Sequence, residues 1–578
     1  MIKLLKNLKP YTMALIAILV LMLLRTFSEL MLPRFMSNIV DIGIRNGDTN
    51  YILRTGLIML SVALFGGATS IFTSYLSSKV GIGFARDLRK KVFTKVTSYS
   101  MHEIDKLGAS SLITRSTNDI TQIQNVVVMM TRIAIRAPLM AVGSIILALQ
   151  TDLGLSYVIF VVVALMAVII VIVASKAIPL FKVIQKKVDQ LNLVMRERLT
   201  GMRVIRAFNK VEKESDRFQK ANEELTDISI RVNKLMAIMM PIMMLIFNLT
   251  TIAIVWFGSQ RIDGGFIEVG SMMAFLQYAM MLLMSVMMLT MVFIMIPRAS
   301  ASAIRINEVL DLSTEINDPK VIQTTKAMRG HIAFNNVSFS YHSDHGAEEA
   351  ALKNISFESG PGEVTAIIGG TGSGKSTLIN LLPRFYDVTQ GEILVNGTDI
   401  RTLQLKDLRD RIGLVPQKTL LFSGTVAENV KYGNDNATEE EVKKAIEIAQ
   451  GLDFVQAMDQ GLDAVLAQGG SNISGGQKQR LSIARALAKK PEIYIFDDSF
   501  SALDFKTESQ LRSALLNETK DATVLIVAQK VTSVMEADRI IVLENGEAVG
   551  IGTHKELLAS NNIYKEIVMS QLSEEEIA

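Results

Sequence analysis

Cysteine is absent from the 578 residues, which excludes disulfides, thiol catalysis and cysteine-based metal sites. Histidine is scarce. Five are scattered without zinc-ligand spacing, so no structural transition metal is expected. Neither sign of charge is in large excess, and a formal net charge of +3 on so long a chain implies no general affinity for nucleic acid. Tryptophan occurs once, at Trp256, in a place that suits an anchor at the outer membrane interface. What the chain has in plenty is apolar residue, 49% of the total, with a mean hydropathy of +0.31. Its length exceeds what one core serves, so a membrane part joined to a soluble domain is the expected organisation.

The apolar residues are concentrated in the first half. Residues 1–10 alternate Ile2, Leu4, Leu5 and Leu8 with Lys3, Lys6 and Lys9, which suits a short amphipathic helix on a membrane surface. The apolar run from Tyr11 to Leu24 is followed by Arg25, Thr26, Phe27 and Glu29. Small cleavage-site residues are missing there, so a retained first spanning helix is expected rather than a signal peptide. Further runs near residues 57–76, 126–149, 155–174, 235–257 and 272–296 are long enough to cross a hydrocarbon core of about 30 Å. Residues 78–125 and 176–234 are long, polar and rich in Lys and Arg, whereas the other connections are short and poor in them. The positive-inside rule puts both long segments and both termini in the cytoplasm.

Apolar periodicity at Val92, Val96 and Ile104, and at Leu191, Val194, Leu199, Val204 and Phe208, predicts helices prolonged well beyond the bilayer. Gly108-Ala109-Ser110-Ser111 and Thr200-Gly201-Met202 are the candidate turns between them. Many of the 31 methionines lie in the last two spans, among them Met239, Met240, Met243, Met244, Met280, Met281, Met284, Met287 and Met288. They suit either ordinary helix packing or an adaptable apolar cavity. Arg132 and Arg136 stand one turn apart near the cytoplasmic end of the third span, with Glu29 in the first. Snorkelling or a cavity-mouth position is expected for the arginines.

Beyond Ile304 the composition becomes mixed, and a strand-rich α/β domain begins near Ile332. Its centre is I-I-G-G-T-G-S-G-K-S-T. Gly369, Gly370, Thr371, Gly372, Ser373 and Gly374 form a loop between a strand at 364–368 and a helix from Leu378. In such a loop backbone N–H groups converge on phosphates, Lys375 reaches the β- and γ-phosphates and the Ser376 hydroxyl ligates Mg²⁺, with Thr377 beside it. The stretch Val337 to Tyr341 alternates like an edge strand that delivers Tyr341 for stacking on adenine. Ile493-Tyr494-Ile495-Phe496-Asp497 is an apolar strand ending in a carboxylate suited to Mg²⁺. Gln417 follows another apolar strand and is placed to reach Mg²⁺ or the attacking water. Ser474-Gly475-Gly476-Gln477 before a helix at 478–489 is a second anion-binding device. One triphosphate does not need two from one chain, whereas a dimer whose chains cap each other's nucleotide uses both.

With Ser501-Ala502-Leu503-Asp504, these elements resemble the full ATP-binding-cassette kit, and nearly the whole chain resembles one half of a type IV ABC exporter. The resemblance implies a six-helix transmembrane domain over 1–310, a linker over 311–330 and a P-loop NTPase nucleotide-binding domain over 331–578. It implies two ATPs sandwiched between paired cassettes, contacted by Ser474 to Gln477 and Asp504. The first cytoplasmic hairpin would contact the chain's own cassette among others, and the second mainly the partner's.

Two positions depart from that pattern. Asp498 stands where the family has a glutamate, and Gln529, after the strand at 524–528, stands where it has a histidine. An aspartate carboxylate ends about 1.5 Å short of the water that glutamate polarises, and a misplacement of about 1 Å costs ~10²-fold in rate. Glutamine cannot become a cation. The resemblance is therefore to a heterodimeric bacterial multidrug exporter, with this chain carrying the degenerate site and a non-identical half-transporter supplying glutamate and histidine. The expected substrate is a hydrophobic or amphipathic compound crossing the cell membrane by alternating access. A lipid or lipopeptide flippase shares every cassette motif. A non-transporting ATP-binding sensor is a different class, against which the intact signature and hairpins argue.

Overall fold

The face each long helix buries changes character along its length. In the helix Thr49–Thr97 the buried positions run Thr55, Gly66, Thr69, Thr73 and Ser77, then Val80, Phe84, Leu88 and Val92. Small and hydroxylated residues let helices approach closely where lipid removes the hydrophobic drive, and large apolar ones form the seam where water restores it. The opposite face exposes Leu57, Leu64, Ile71 and Phe72 in the first stretch and Arg86, Lys90 and Lys91 in the second. At about 1.5 Å per residue this helix of 49 residues is roughly 73 Å long, more than twice a hydrocarbon core.

The computed structural model describes residues 1–319, 321–323, 328–341 and 350–572. By contacts the chain forms two units, and the division is not contiguous: residues 1–97 and 109–312 make one, residues 98–108 and 313–578 the other.

The first unit holds six helices long and apolar enough to cross a membrane: Lys3–Ile44, Thr49–Thr97, Ala109–Thr151, Leu153–Thr200, Val211–Asp263 and Val269–Leu289. The first four residues after Met1 and the turn that follows are helical and lead straight into the first span. The first span packs on the second, and the sixth on the first and third. The fourth and fifth pack mainly on each other. The turn expected at Thr200-Gly201-Met202 falls where the fourth-span helix ends, and Gly201 starts a short helix, Met202–Ala207, before Val211–Asp263. Leu199, Val204 and Phe208 are exposed at the tip of the fourth-and-fifth-span hairpin. Arg136, for which snorkelling or a cavity-mouth position is expected, donates to Glu29 Oε2 at 2.6 Å across to the first span. Among the methionines, Met243 is buried against Met166, Met239 and Met287, as ordinary helix packing expects, while Met240, Met244 and Met284 are exposed.

The first predicted turn is corrected. Only Gly108, at φ +75°, turns the chain, and Ala109 to Ser111 are already helical. The feature missed is the helix Met101–Leu107, which belongs to the second unit. Glu103 is buried there, accepting from Ser100 N and Ser100 Oγ at 2.6 Å and from Glu315 N at 3.0 Å. Burial raises its carboxyl, but these hydrogen bonds outweigh that and hold it below the usual range. Tyr386 donates from its hydroxyl to Asp105 at 3.0 Å. Of the stretch read as a linker, Lys320 and residues 324–327 lie outside the described residues. Asn317 O, Asp318 and Gln323 N are hydrogen-bonded to Arg384, Leu405 and Thr402.

Strands of the second unit are β1 (Ile332–Ser340), β2 (Ala350–Ser359), β3 (Val364–Gly369), β4 (Gln390–Val395), β5 (Thr398–Asp399), β6 (Ile412–Val415), β7 (Gly424–Thr425), β8 (Val465–Leu466), β9 (Ile493–Asp497), β10 (Thr523–Val527), β11 (Arg539–Glu544) and β12 (Glu547–Gly552). One sheet has the order β12-β11-β3-β10-β9-β6, parallel except at β12, and a second has β2-β1-β4-β5. Alternate residues of the parallel strands enter opposite cores: Ile367, Ile493, Ile495, Leu525 and Ile541 on one face, Ala366, Ile368, Phe496, Ile526 and Ile540 on the other. Burial of both faces is why these strands read as unbroken apolar runs. β1 is not an edge strand. It lies between β2 and β4, pairing antiparallel with both.

Candidate functional site

The site grows from the carboxyl ends of four adjacent parallel strands, where open α/β sheets bind ligands. Val527 pairs with Ile367 on one side and Asp497 on the other, and Val415 pairs with Phe496. That register brings the loop after β3, Asp497 and Asp498 after β9, Gln529 after β10 and Gln417 after β6 to one end of the sheet.

A Cβ on Gly369 would lie 2.1 Å from Leu543 O, and Gly374 caps the next helix at φ +98°. Only glycine fits such an approach and such a backbone. The helix runs Lys375–Leu381, three residues earlier than predicted, because Gly374 starts the helical hydrogen bonding directly. Lys375 is buried and donates to Gly369 O and Gly370 O at 2.9 and 2.7 Å. Burial lowers its ammonium below the usual lysine range despite the charges of Asp498 and Asp497. Ser373 Oγ is buried with no hydrogen-bond partner. A phosphate at the loop would satisfy both groups.

Ser376 Oγ donates to Asp497 Oδ1 at 3.3 Å. Burial raises the Asp497 carboxyl, and Ser376 and Lys375 offset only part of this. A desolvated carboxylate beside a hydroxyl, with the Gln417 amide oxygen on the neighbouring strand end, is an all-oxygen set that fits Mg²⁺.

Asp498 sits at φ +48°, its N–H bonded to Val527 O at 2.9 Å. Its Oδ2 accepts from Gln417 Nε2 at 3.2 Å and from Gln529 Nε2 at 3.3 Å. Three side chains far apart in sequence thus meet on one oxygen. Tyr341 is partly exposed, with its hydroxyl 3.1 Å from Thr377 Oγ1 and its ring edge-on to Tyr386 at 5.4 Å. Thr371 and Gly372 complete the exposed crown of the loop.

The second anion-binding device stands as a separate group. Its helix is Gly475–Lys489, again three residues earlier than predicted. Ser474 caps it, with Ser474 N donating to Gln477 Oε1 at 2.9 Å and Gln477 N to Ser474 Oγ at 3.3 Å. A Cβ on Gly475 would meet nothing within 4 Å, whereas one on Gly476 would meet Ala502 O at 3.1 Å. Asp504 caps the next helix through Thr507 N at 3.0 Å, which holds its carboxyl below the usual range. Neither Ser474 nor Asp504 has a hydrogen bond to the phosphate-loop cluster among the described residues.

Sequence reasoning missed Met101–Leu107 with Glu103 and Asp105. The pair Ser100 and Glu103 is a capping box, the signal that marks that helix start.

Two families match the chain: the ABC transporter transmembrane region over residues 15–286, and ABC transporter over residues 352–501. An uncharacterized ABC transporter ATP-binding protein of Mycobacterium tuberculosis is 41% identical over 98% of this chain and 97% of its own length. An ATP-dependent lipid A-core flippase of Syntrophus aciditrophicus is 32% identical over 90% of this chain and 86% of its own. The structure of a bacterial Atm1-family ABC exporter with ATP bound superposes with a TM-score of 0.80 at 26% identity, covering 97% of this chain and 99% of that one.

Proposed function

The chain belongs to the ABC transporter family, and from that premise we propose that it is the degenerate-site half of a heterodimeric exporter of hydrophobic or amphipathic compounds, drugs among them. Its cassette binds ATP, and the transporter couples ATP hydrolysis to export. The observation that carries the degenerate-site reading is the Asp498 carboxylate, short by one methylene and engaged by both Gln417 and Gln529. A catalytic base needs a free lone pair on the water, and a histidine-type cation beside the γ-phosphate is missing.

In this reading Tyr341 stacks on adenine, residues 369–377 hold the phosphates, and Ser376, Asp497 and Gln417 hold Mg²⁺, which would supply charge compensation for the phosphate oxygens. Ser474 to Gln477 and Asp504, standing apart from the chain's own loop, serve the partner's nucleotide. The exposed tip Leu199, Val204 and Phe208 supports docking of the second hairpin on that partner, because such apolar side chains gain from leaving water. Closure of the paired cassettes on ATP, carried by the hairpins, opens the inward-facing cavity outward. Both termini and the cassette lie in the cytoplasm and the spans in the cell membrane.

Purified alone, the chain is expected to bind ATP but turn it over far below the rate of the pair. Ordinary exporter rates from the isolated chain would remove the heterodimer argument. Lys375→Ala is expected to weaken ATP occupancy of this chain's own site at least tenfold, since it deletes the ammonium that replaces its loop carbonyls with phosphate. Unchanged nucleotide affinity in a filter-binding titration would contradict the assignment.

A further inference from the structure

The strand Thr523–Val527 delivers Gln529 to the phosphate end of the sheet, but its ladder stops short of that residue. Val527 pairs on both sides, and Ala528 N still donates to Ile367 O at 3.2 Å. Beyond it the chain leaves the sheet. Gln529 and Lys530 are exposed, and regular structure resumes only in the turn Val531–Ser533. Two residues outside any ladder have their backbone direction set by whichever groups take up the neighbouring N–H and C=O.

One side chain takes up both. Gln571 donates from Nε2 to Gln529 O at 2.8 Å and accepts on Oε1 from Val531 N at 2.8 Å. These are the two bonds that a parallel neighbouring strand would make on either side of Lys530, which is itself extended at φ −88° and ψ 131°. The amide acts as a one-residue strand. Its own place is set by the helix Asn562–Met569, whose Tyr564 and Val568 are buried, and by Val568 O, which accepts from Gln571 N and Leu572 N at 3.0 and 2.9 Å. Leu572 packs against the core that also holds Val531 and Val534. Gln571 is anchored from behind while its side chain lies at the surface.

The far end of the same loop is held by other groups. Glu508, buried in the helix Phe505–Glu518, accepts from Ser533 Oγ at 2.5 Å, and Arg512 of that helix donates to Thr532 O at 2.7 Å. Those bonds fix residues 532 and 533. Among the described residues, Gln571 is the side chain bonded to the backbone of Gln529 itself.

We propose that Gln571 is a positioning residue for this chain's own nucleotide site: it fixes the backbone from which Gln529 reaches, and so sets how strongly the site prefers ATP to ADP. Gln529 Nε2 lies 3.3 Å from Asp498 Oδ2, at the end of the sheet where the phosphate loop stands. A donor favours a terminal phosphate most when its position is fixed before the phosphate arrives. The inference rests on the reading of residues 369–377 and Gln529 as a nucleotide site, and is independent of the exported compound and of the partner's identity.

The test uses the full chain with its co-purifying subunit. 8-Azido-ATP is photocrosslinked on ice, the two polypeptides are separated by electrophoresis, and label on this chain is displaced by ATP or by ADP. Gln571→Ala is expected to weaken displacement by ATP about fivefold, the worth of a lost hydrogen bond, and to leave displacement by ADP within about twofold. Gln571→Glu keeps the acceptor for Val531 N but sets a carboxylate oxygen against Gln529 O. It is expected to behave alike, and keeps the test decisive if the first variant does not assemble. In a Gln529→Ala background, Gln571→Ala is expected to add nothing, because the two residues act as one unit. Equal losses for ATP and ADP would reduce Gln571 to a structural bond, and additive losses would show that it does not act through Gln529. Either result overturns the proposal, as does ATP displacement like the wild type in both Gln571 variants. Unchanged ATP displacement in Lys375→Ala would sink the nucleotide-site reading itself, and this proposal with it.

Discussion

Gly475→Asp is expected to lower ATP turnover of the assembled transporter by about a hundredfold or more, the loss typical when preorganised charge stabilisation at a reacting phosphate is removed or reversed. The substitution should leave the chain itself intact, because a Cβ at Gly475 meets nothing within 4 Å and the backbone there is not left-handed. A carboxylate at that point would stand at the N-terminus of the helix Gly475–Lys489, where the helix would otherwise present its N–H groups and positive dipole end to an anion. The expected outcome is asymmetric. This chain's own site should retain its affinity for ATP, while hydrolysis by the pair collapses, if, as proposed, the signature completes the partner's nucleotide site. The matching glycine substitution in the partner, which faces the site built around Asp498, should cost far less. Equal losses from the two substitutions would argue against one competent and one impaired site.

Asp498→Glu combined with Gln529→His should raise hydrolysis at this chain's own site by about tenfold or more, with Asp498→Glu alone giving only a modest gain. The geometry explains the difference. Lengthening the side chain carries the carboxylate toward the attacking water but leaves Gln529, which now donates to Asp498 Oδ2 at 3.3 Å, without any charge to offer the γ-phosphate. The residue also sits at φ +48°, a conformation that aspartate tolerates better than glutamate, so the single substitution should cost about 1 kcal/mol of stability. Single-turnover hydrolysis with the partner's glutamate neutralised isolates the site. A double variant no faster than the wild type would remove the proposal that this site retains ATP.

The phosphate loop, the strand ending in Asp497, the Ser474 cap and six apolar runs were legible because each is a local signal: a spacing of glycines, an apolar run of the right length, a hydroxyl before a helix. Local signals also misled at their edges. The helices at Lys375 and Gly475 begin three residues before the predicted starts, since residues read as loop, Lys375 to Thr377 and Gly475 to Gln477, are already inside the first turn. β1 alternates as an edge strand does, yet is paired on both sides, because alternation reports two unlike faces and says nothing of lateral neighbours.

The sequence by itself determined that a membrane-crossing half is joined to a nucleotide cassette, since run length and glycine spacing need no partner to be read. Only the tertiary structure decided that Gln417 and Gln529 converge on one oxygen of Asp498, and that Arg136 reaches Glu29 across 107 residues of chain. Which strand ends adjoin and which helices cross is fixed by the packing of distant apolar faces. No window along the chain carries that information.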